Sequence, residues 1–219
     1  MTPLQIEERA RQRMNAVNSQ FWSSAEIIEN YLYNCASELA VETMCIENRY
    51  TTLSVVDQAE YTRPTRAISI KRVVYDSTEA NIKLMPIDYR TLDSINPSIT
   101  GSVTGTPQYY MNFDDVLEVY PTPDTSGKTI LIYSYDMPDQ TTDTSVLEIP
   151  MRYHNYLITG VAYLMSLKEL GHPNTSRLAQ EWYNSIEKVK RDVARLKRGD
   201  SFTRVKREED LPGTLLGAI

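Results

Sequence analysis

The sequence has few of the residues on which disulfide-stabilised and membrane-spanning proteins depend. It contains only two cysteines in 219 residues, too few for a disulfide framework, which favours a reducing compartment. No apolar run approaches the roughly 20 residues that a membrane-spanning helix needs. The first residues are charged and lack an apolar stretch, so we expect no secretory signal. These absences predict a protein made in the cytoplasm that has no membrane partner.

An excess of positive charge is also lacking. The formal net charge is −6 at pH 7, with 29 acidic residues against 23 basic ones. Proteins that coat nucleic acid bind its phosphates through broad basic surfaces. The charge balance therefore argues against this class of protein.

Metal-binding and catalytic patterns are scarce as well. Neither His154 nor His172 has a cysteine or a second histidine at metal-ligand spacing, so we expect both to be solvated or capping residues. Cys35 and Cys45 fall in predicted helices, where a free cysteine is commonly a small buried residue. The G-x-S-x-G pattern of a nucleophile elbow is absent. The sequence therefore predicts no catalytic site, metal or cofactor.

The stretch "SGKT", residues 126–129, comes closest to a catalytic signature, that of a phosphate-binding loop. Such a loop needs a glycine where Thr122 stands, and the prolines on either side of Thr122 have no N–H to donate. It must also begin a helix, whereas "TILIYSY" follows, a sequence typical of a strand. We therefore predict that residues 124–127 form a turn between two antiparallel strands. Asp114 and Asp115 predict a second such turn.

Tyrosine is the one residue type in clear excess, with 15 Tyr against 3 Phe and 2 Trp. Its apolar ring and polar tip suit half-buried surfaces and contacts with other proteins. A tyrosine-rich core and sheet surface would explain the same excess, so both interpretations stay open.

Helical patterns occupy both ends of the chain. At the start, a short charged helix is predicted over 4–17, and Ser23 and Glu26 form a capping box for a second helix that ends near Asn48. Near the end, two more helices are predicted, separated at Gly171 and Pro173, and the last of them stops at Gly199. The apolar stripes of the last three helices are Ile28, Leu32, Cys35, Leu39 and Ile46; Tyr156, Gly160, Tyr163, Leu167 and Leu170; and Trp182, Ile186, Val189, Val193 and Leu196.

Strand patterns fill the middle of the chain. They include "AISIKRVVYD" and its expected neighbour "NIKLMPID", followed by "PQYYMNF", "VLEVY" and "KTILIYSYDMP". A short helix is predicted over 87–94, and a loop or exposed flap over 98–107.

The order of the predicted elements along the chain, helices followed by strands and then by helices, predicts an α+β fold. The simplest arrangement is an antiparallel helical bundle formed by residues 1–50 and 150–199, with an antiparallel β domain, 51–149, inserted between them. Residues 200–219 show no periodicity and are predicted to form an extended C-terminal tail.

The end of the last helix and the residues that follow are rich in cations. One interpretation is a solvated helix face, with cations suited to the helix C-terminus. The other is docking to an acidic partner, or proximity to DNA. The cations are Lys188, Lys190, Arg191, Arg195, Lys197, Arg198, Arg204, Lys206 and Arg207.

Three stretches, in order along residues 22–198, resemble the head-to-tail adaptor (connector or neck) proteins of tailed bacteriophages. The first is "WSSAEIIENYLYNCASELAVE", residues 22–42. The second is "TGTPQYYMNF" followed by "VLEVYPTPDTSGKTILIYSYDMPD", and the third is "LEIPMRYHNYLITGVAYLM". The first 20 residues and the tail are not covered.

The resemblance implies a structural virion protein with no enzymatic activity. Such proteins form a ring, usually of twelve copies, that joins the portal of the capsid to tail or nozzle proteins and lets DNA pass without specific binding. Another neck or tail component, such as a tail terminator or baseplate protein, or a soluble hydrolase, is the alternative.

Contact residues follow from the same resemblance. The 98–107 flap and the tyrosine-rich strands are candidates for tail-side or inter-subunit contacts, in particular Tyr109, Tyr110, Tyr133 and Tyr135. The candidates for portal docking are Arg195, Lys197, Arg198, Arg204, Lys206, Arg207, Leu215 and Leu216.

Overall fold

The computed structural model describes residues 1–16, 19–76, 81–95, 103–142, 144–169 and 172–209, with side chains for all of these except 95 and 198–209. The described elements run in the order α1 (Pro3–Arg13), a π-helical segment (Glu26–Leu32), α2 (Tyr33–Thr43), β1 (Glu47–Leu53), β2 (Glu60–Thr62), β3 (Ala67–Asp76), β4 (Asn81–Pro86), α3 (Tyr89–Ile95), β5 (Thr104–Gly105), β6 (Tyr109–Phe113), β7 (Val116–Tyr120), β8 (Thr122–Pro123), β9 (Thr129–Asp136), a 3-10 turn (Met151–Tyr153), α4 (His154–Lys168) and α5 (Thr175–Glu209).

The chain is a mixed α+β protein that divides into two units. The helical unit consists of Met1–Cys45 together with Gln140–Ile219, and the β unit consists of Ile46–Asp139. The described helices of the helical unit come from both ends of the chain, and the β unit occupies the sequence between them.

The helix that precedes the β unit starts as predicted but ends early. The Ser23 hydroxyl accepts the Glu26 N–H at 3.1 Å, which is half of the predicted capping box. The prediction that this helix reaches Asn48 is wrong, because Met44 adopts a left-handed conformation (φ 53°) that ends α2. Residues Glu47–Leu53 instead form β1, paired with β9 along its whole length. Tyr and Thr suit this strand better than a helix.

The core of the helical unit lies where α4 packs against α1, α2, α5 and the π-helical segment. Gly160 of α4 marks a very close approach, since an added Cβ would lie 2.8 Å from Cys35 Sγ and 2.9 Å from Trp182 Cε3. The side chains at the centre of this core are 0–2% exposed; they are Ile6, Ala10, Ile27, Ile28, Leu32, Cys35, Ala36, Leu39, Leu157, Val161, Met165, Leu178, Trp182 and Val189.

The predicted apolar stripes agree with this core except at the C-terminal helices. Gly160 of the predicted α4 stripe is buried, and the buried side chains beside it are Leu157, Val161 and Met165. Leu167 of the stripe is 48% exposed, and Leu170 lies outside the described residues. In α5 the stripe is buried through Val193, but Leu196 is 45% exposed. Two neighbouring stripes in α4 are both apolar, so periodicity alone does not decide which of them faces the core.

The last helix is longer than the sequence pattern indicated. We expected it to stop at Gly199 and an extended tail to begin at residue 200, but α5 continues to Glu209. Glycine inside a helix costs about 1 kcal/mol relative to alanine, and the Arg, Lys and Glu residues that follow are good helix formers. Residues 210–219 of the predicted tail lie outside the described residues.

The β unit contains a seven-stranded sheet in the order β1-β9-β3-β4-β6-β7-β2. The predicted neighbours β3 and β4 pair antiparallel, as do β6 and β7. The expectation of a purely antiparallel domain is wrong, because β4 pairs with β6 in parallel. The chain between these two strands includes α3, and parallel neighbours require a crossover connection of this kind.

Part of the predicted flap is a small second sheet. Thr104–Gly105 forms β5 and pairs in parallel with β8, and Thr122 N–H donates to the Val103 carbonyl at 2.9 Å. Residues 98–102 of the flap lie outside the described residues. The segment that can be described is therefore paired and is not a free loop.

The core of the β unit combines branched aliphatic residues with tyrosine rings. Its members are 0–6% exposed and come from β2, β3, β4, β6, β7 and β9; they are Tyr61, Val73, Tyr75, Leu84, Tyr110, Leu117, Val119, Ile130 and Ile132. Three tyrosines among these nine residues support the interpretation of the tyrosine excess as a tyrosine-rich core. More than half of all the tyrosines lie in this unit.

A buried carboxylate lies where the β unit begins and ends. Asp136 is 0% exposed, and it accepts hydrogen bonds from Asn48 Nδ2 at 2.9 Å, from Ser134 Oγ at 2.5 Å and from the Tyr50 hydroxyl. Its N–H also donates to the Ile46 carbonyl at 3.1 Å. Three side-chain donors thus satisfy one buried carboxylate, and two of them, Asn48 and Tyr50, join β1 to β9.

Candidate functional site

The 126–129 stretch forms part of a turn, and hydrogen bonds to Ser54 close this turn. Gly127 has φ 80°. The Ser54 carbonyl accepts the Gly127 N–H at 2.8 Å, and the Ser54 hydroxyl accepts the Lys128 N–H at 3.0 Å. The same hydroxyl donates to the Thr125 carbonyl at 2.7 Å. Two N–H groups that a phosphate would need are therefore already bonded to protein. The predicted turn is confirmed.

The strands beside this turn differ from the prediction. It follows β8 and precedes β9, which do not pair with each other: β8 pairs with β5, and β9 with β1 and β3. The turn at Asp114 and Asp115, in contrast, joins the antiparallel pair β6 and β7 as predicted. Asp114 there has φ 46°, a conformation that Asp tolerates better than most residues.

The histidines and cysteines have structural positions. His154 is not solvated as expected: it is 5% exposed and its Nε2–H donates to the Ile149 carbonyl at 2.7 Å, while burial lowers its pKa. His172 caps a turn, accepting the Asn174 N–H at 3.3 Å.

Burial raises the pKa of the Cys35 and Cys45 thiols, which favours the unreactive protonated form. Among the described residues, no group of three His, Cys, Asp or Glu side chains is arranged to hold a metal ion.

A concave site lies on the helical unit between the start of α4 and the middle of α5. We call it the cation-lined cavity; its volume is about 520 Å³ and it is lined by Arg152, Tyr153, Tyr156, Lys188, Val189, Arg191, Asp192 and Arg195. The helical spacing of positions 188, 191 and 195 puts three cations on one face of α5. Arg152 brings the fourth from the chain before α4.

The single carboxylate of the cavity is already bonded. The Tyr153 hydroxyl donates to Asp192 Oδ2 at 2.8 Å. Burial and this contact raise the pKa of Tyr153 to about 12, so the hydroxyl remains a donor at neutral pH. The guanidinium of Arg152 lies 5.2 Å from the centre of the Tyr153 ring. Four cations and one hydrogen-bonded carboxylate make the cavity net positive.

Only part of the predicted portal-docking set can be located. Arg195 lines the cavity, and Lys197 is exposed two residues further along α5. Arg198, Arg204, Lys206 and Arg207 belong to α5 by their backbone, but their side chains, like Leu215 and Leu216, lie outside the described residues.

The four predicted contact tyrosines fall in different environments. Tyr110 is 6% exposed and belongs to the core of the β unit, so its ring is not on the surface as predicted. Tyr109 is half-buried on β6. Tyr133 and Tyr135 lie on the half-exposed face of β9, where Arg72 and Lys71 lie 5.8 Å and 5.5 Å from the two ring centres.

Sequence reasoning did not connect three of the eight residues that line the cation-lined cavity to the other five. Lys188 and Arg191 are visible as part of the basic segment, and their spacing to Arg195 could have grouped the three. Arg152, Tyr153 and Tyr156 lie more than 30 residues earlier, and no spacing rule connects them to α5.

The described helices include none that is both long and apolar enough to span a bilayer.

Comparison with known proteins supports the resemblance seen in the sequence. The family described as SU10 adaptor protein matches residues 1–208, which extends the similarity to the first 20 residues and into the last helix. No curated protein gave a match. Because the match covers both units, the chain belongs to the SU10 adaptor protein family, a family of phage head–tail adaptors.

Proposed function

We propose that this protein is a structural component of the virion neck that forms a ring of twelve identical copies between the portal of the capsid and the tail. The match to the adaptor family over residues 1–208 carries the proposal. In the proposed ring the helices of both chain ends form an antiparallel bundle in the wall. DNA passes through the ring without specific binding, which is compatible with the net charge of −6. The protein needs no catalytic activity for this role.

The proposed portal contact is the C-terminal part of α5 and the residues that follow it. Its cations and the apolar pair Leu215-Leu216 would dock to the portal. Tyr109, Tyr133 and Tyr135 remain candidates for contacts with tail proteins or with neighbouring copies. Tyr110 is left out because its ring is buried.

Co-purification with the portal tests this role. We expect the full chain to bind the portal and a chain ending at residue 199 to lose binding. A second truncation that ends at residue 209, the end of α5, separates the helix from the residues after it. Both tryptophans, Trp22 and Trp182, lie in the helical unit, so their fluorescence controls for its folding. Unchanged portal binding by both truncated chains would contradict docking through this end.

Electron microscopy of the particle neck tests the ring. We expect twelve copies of this chain between portal and tail. A position elsewhere in the tail, or a lack of identical copies around the axis, would contradict the proposal.

A further inference from the structure

We propose that the cation-lined cavity binds an acidic segment of a protein partner, whose Asp and Glu carboxylates pair with the four cavity cations. This inference goes beyond the proposed function, since it states the chemistry of a ligand and does not require a ring. It assigns a role to a surface that contains Arg195 of the predicted portal-docking set, together with Lys188 and Arg191 of the basic segment for which docking to an acidic partner stayed open.

The first observation is that the cavity cations lack carboxylate partners among the described residues. Neither Lys188 nor Arg195 has an ion pair there, and Arg191 bonds only the backbone carbonyl of Glu187 through Nε at 3.3 Å. Other cations of the same helix are paired: Lys190 lies 2.6 Å from Glu42 Oε2 and Arg177 lies 3.7 Å from Glu181 Oε1. Unpaired cations are thus concentrated where the surface is concave.

The second observation is the lining between the charges. The rings of Tyr153 and Tyr156 and the buried side chain of Val189 give the cavity an apolar part. Glu side chains have apolar stems and planar carboxylates, and arginine binds a carboxylate through two parallel hydrogen bonds. Three of the four cavity cations are arginines, so the site suits planar acidic groups on a peptide.

Two features favour a protein segment over nucleic acid. The cavity holds four cations beside the carboxylate of Asp192, a charge pattern that suits the few, spaced carboxylates of a peptide better than a continuous row of phosphates. The chain as a whole is also acidic, with a net charge of −6, which disfavours binding that depends on broad positive surfaces. A cavity of about 520 Å³ can hold a few side chains but not a duplex.

Fluorescence anisotropy with the full chain tests the inference. The probe is a labelled peptide in which Glu and Asp alternate with Gly and Ser, compared with the same peptide carrying Gln and Asn. We expect only the acidic peptide to bind. The double variant Arg191→Gln/Arg195→Gln should weaken binding by at least about tenfold, because it removes two cations that would make charge-assisted hydrogen bonds to the peptide.

A matched control removes the same charge from the same helix outside the cavity. The double variant Arg177→Gln/Lys190→Gln should change the affinity by less than about twofold, because screening weakens charges that lie away from the peptide. Arg152→Gln removes one cavity cation without altering α5, so a weakened affinity in this variant cannot arise from damage to that helix. Tryptophan fluorescence reports whether each variant is folded.

Three results would overturn the inference. The first is an equal loss of affinity in the cavity double variant and in the control double variant. The second is equal binding of the neutral and the acidic peptide, and the third is unchanged binding of the acidic peptide by both Arg152→Gln and the cavity double variant. If a labelled DNA duplex bound more tightly than the acidic peptide, and this binding also depended on Arg191 and Arg195, the cavity would be a phosphate-binding site instead. Failure of the peptide experiment would leave portal co-purification intact, so the inference and the proposed function fail separately.

Discussion

The two units of this protein are stabilised in different ways. In the helical unit the helices approach so closely that Gly160 of α4 leaves no room for a methyl group beside Cys35 and Trp182. In the β unit, polar side chains bond within the interior and its loops, as Asp136 and Ser54 do. The contact at Gly160 thus depends on shape, whereas the buried carboxylate of Asp136 depends on satisfied hydrogen bonds. The difference can be tested unit by unit, since both tryptophans belong to the helical unit.

The largest effect is expected from Asp136→Ala in the β unit. The substitution leaves Asn48, Tyr50 and Ser134 without their acceptor, and each unsatisfied buried group costs about 1–3 kcal/mol. We expect a loss of about 3 kcal/mol or more in the free energy of unfolding of this unit, measured by hydrogen exchange of residues 46–139 in urea. Ser134→Ala is the control, because it removes one donor and leaves the carboxylate with two others. Equal losses in the two variants would contradict the network as described.

Gly160→Ala should produce the next largest effect, in the helical unit. Overpacking costs about 1–3 kcal/mol, and the better helix propensity of alanine offsets up to about 1 kcal/mol of this. We expect a net loss of about 1–2 kcal/mol by urea unfolding monitored through tryptophan fluorescence. Cys35→Ala removes the sulfur that the new methyl group meets, so the double variant should be more stable than the two single losses predict. Strict additivity would show that the contact with Cys35 is not the cause.

Much of this fold could be predicted from local patterns, and the failures have physical reasons. Turns at Asp114 and Gly127 follow from residues that tolerate positive φ, and the stripe through Trp182, Ile186 and Val189 follows from helical periodicity. The start of β1 was assigned to the preceding helix, because Glu47 and Asn48 are polar and their pairing with β9 is not visible in the local sequence. The parallel pairing of β4 and β6 depends on where the chain returns after α3, which local patterns do not encode.

The candidate site was only partly predictable for a related reason. A row of cations on α5 can be read from sequence spacing, but the cavity exists because Arg152 and Tyr153 pack beside it from another part of the chain. Alternation likewise predicts that a strand has two faces without saying which is covered, so the sequence could not separate buried Tyr110 from half-buried Tyr109 as candidates for contacts.

A smaller and more local effect is expected from Ser54→Ala, which removes the hydroxyl that closes the 124–127 turn. The Lys128 amide loses its acceptor, so its hydrogen exchange should accelerate, with a loss of stability of about 1 kcal/mol. Ser126→Ala is a matched control in the same turn, because its hydroxyl accepts the Val56 N–H at 2.8 Å. It should accelerate exchange at Val56 and leave Lys128 unchanged. The same exchange pattern in both variants would show that the turn opens as a whole.

The smallest effect is expected at an ion pair of the helical unit. Lys168 Nζ lies 2.7 Å from Glu26 Oε2, and this hydrogen bond, followed by the one from Tyr31, lowers the pKa of Glu26 below its ordinary value of 4.5. The contribution to stability is therefore present above pH 4.5 and is lost as the pH falls through the lowered pKa.

Glu26→Gln tests this pH dependence. The variant should be less stable than the parent by about 0.5 kcal/mol at pH 7, the usual size for an exposed pair, and the difference should shrink at pH 3. Glu29→Gln, in the same π-helical segment, removes an acidic residue that has no ion pair among the described residues. A difference that stays constant with pH would contradict the assigned role of Glu26.

The hydrogen bond between the Asp136 N–H and the Ile46 carbonyl affects how the β unit can be exchanged within the chain. It brings the first and last strands of the β unit side by side, so the unit begins and ends at neighbouring points. A segment with adjacent ends can be lengthened, shortened or exchanged for another without changing the spacing of the residues it leaves behind. Chimaeras in which this segment is exchanged at residues 46 and 139 should therefore fold.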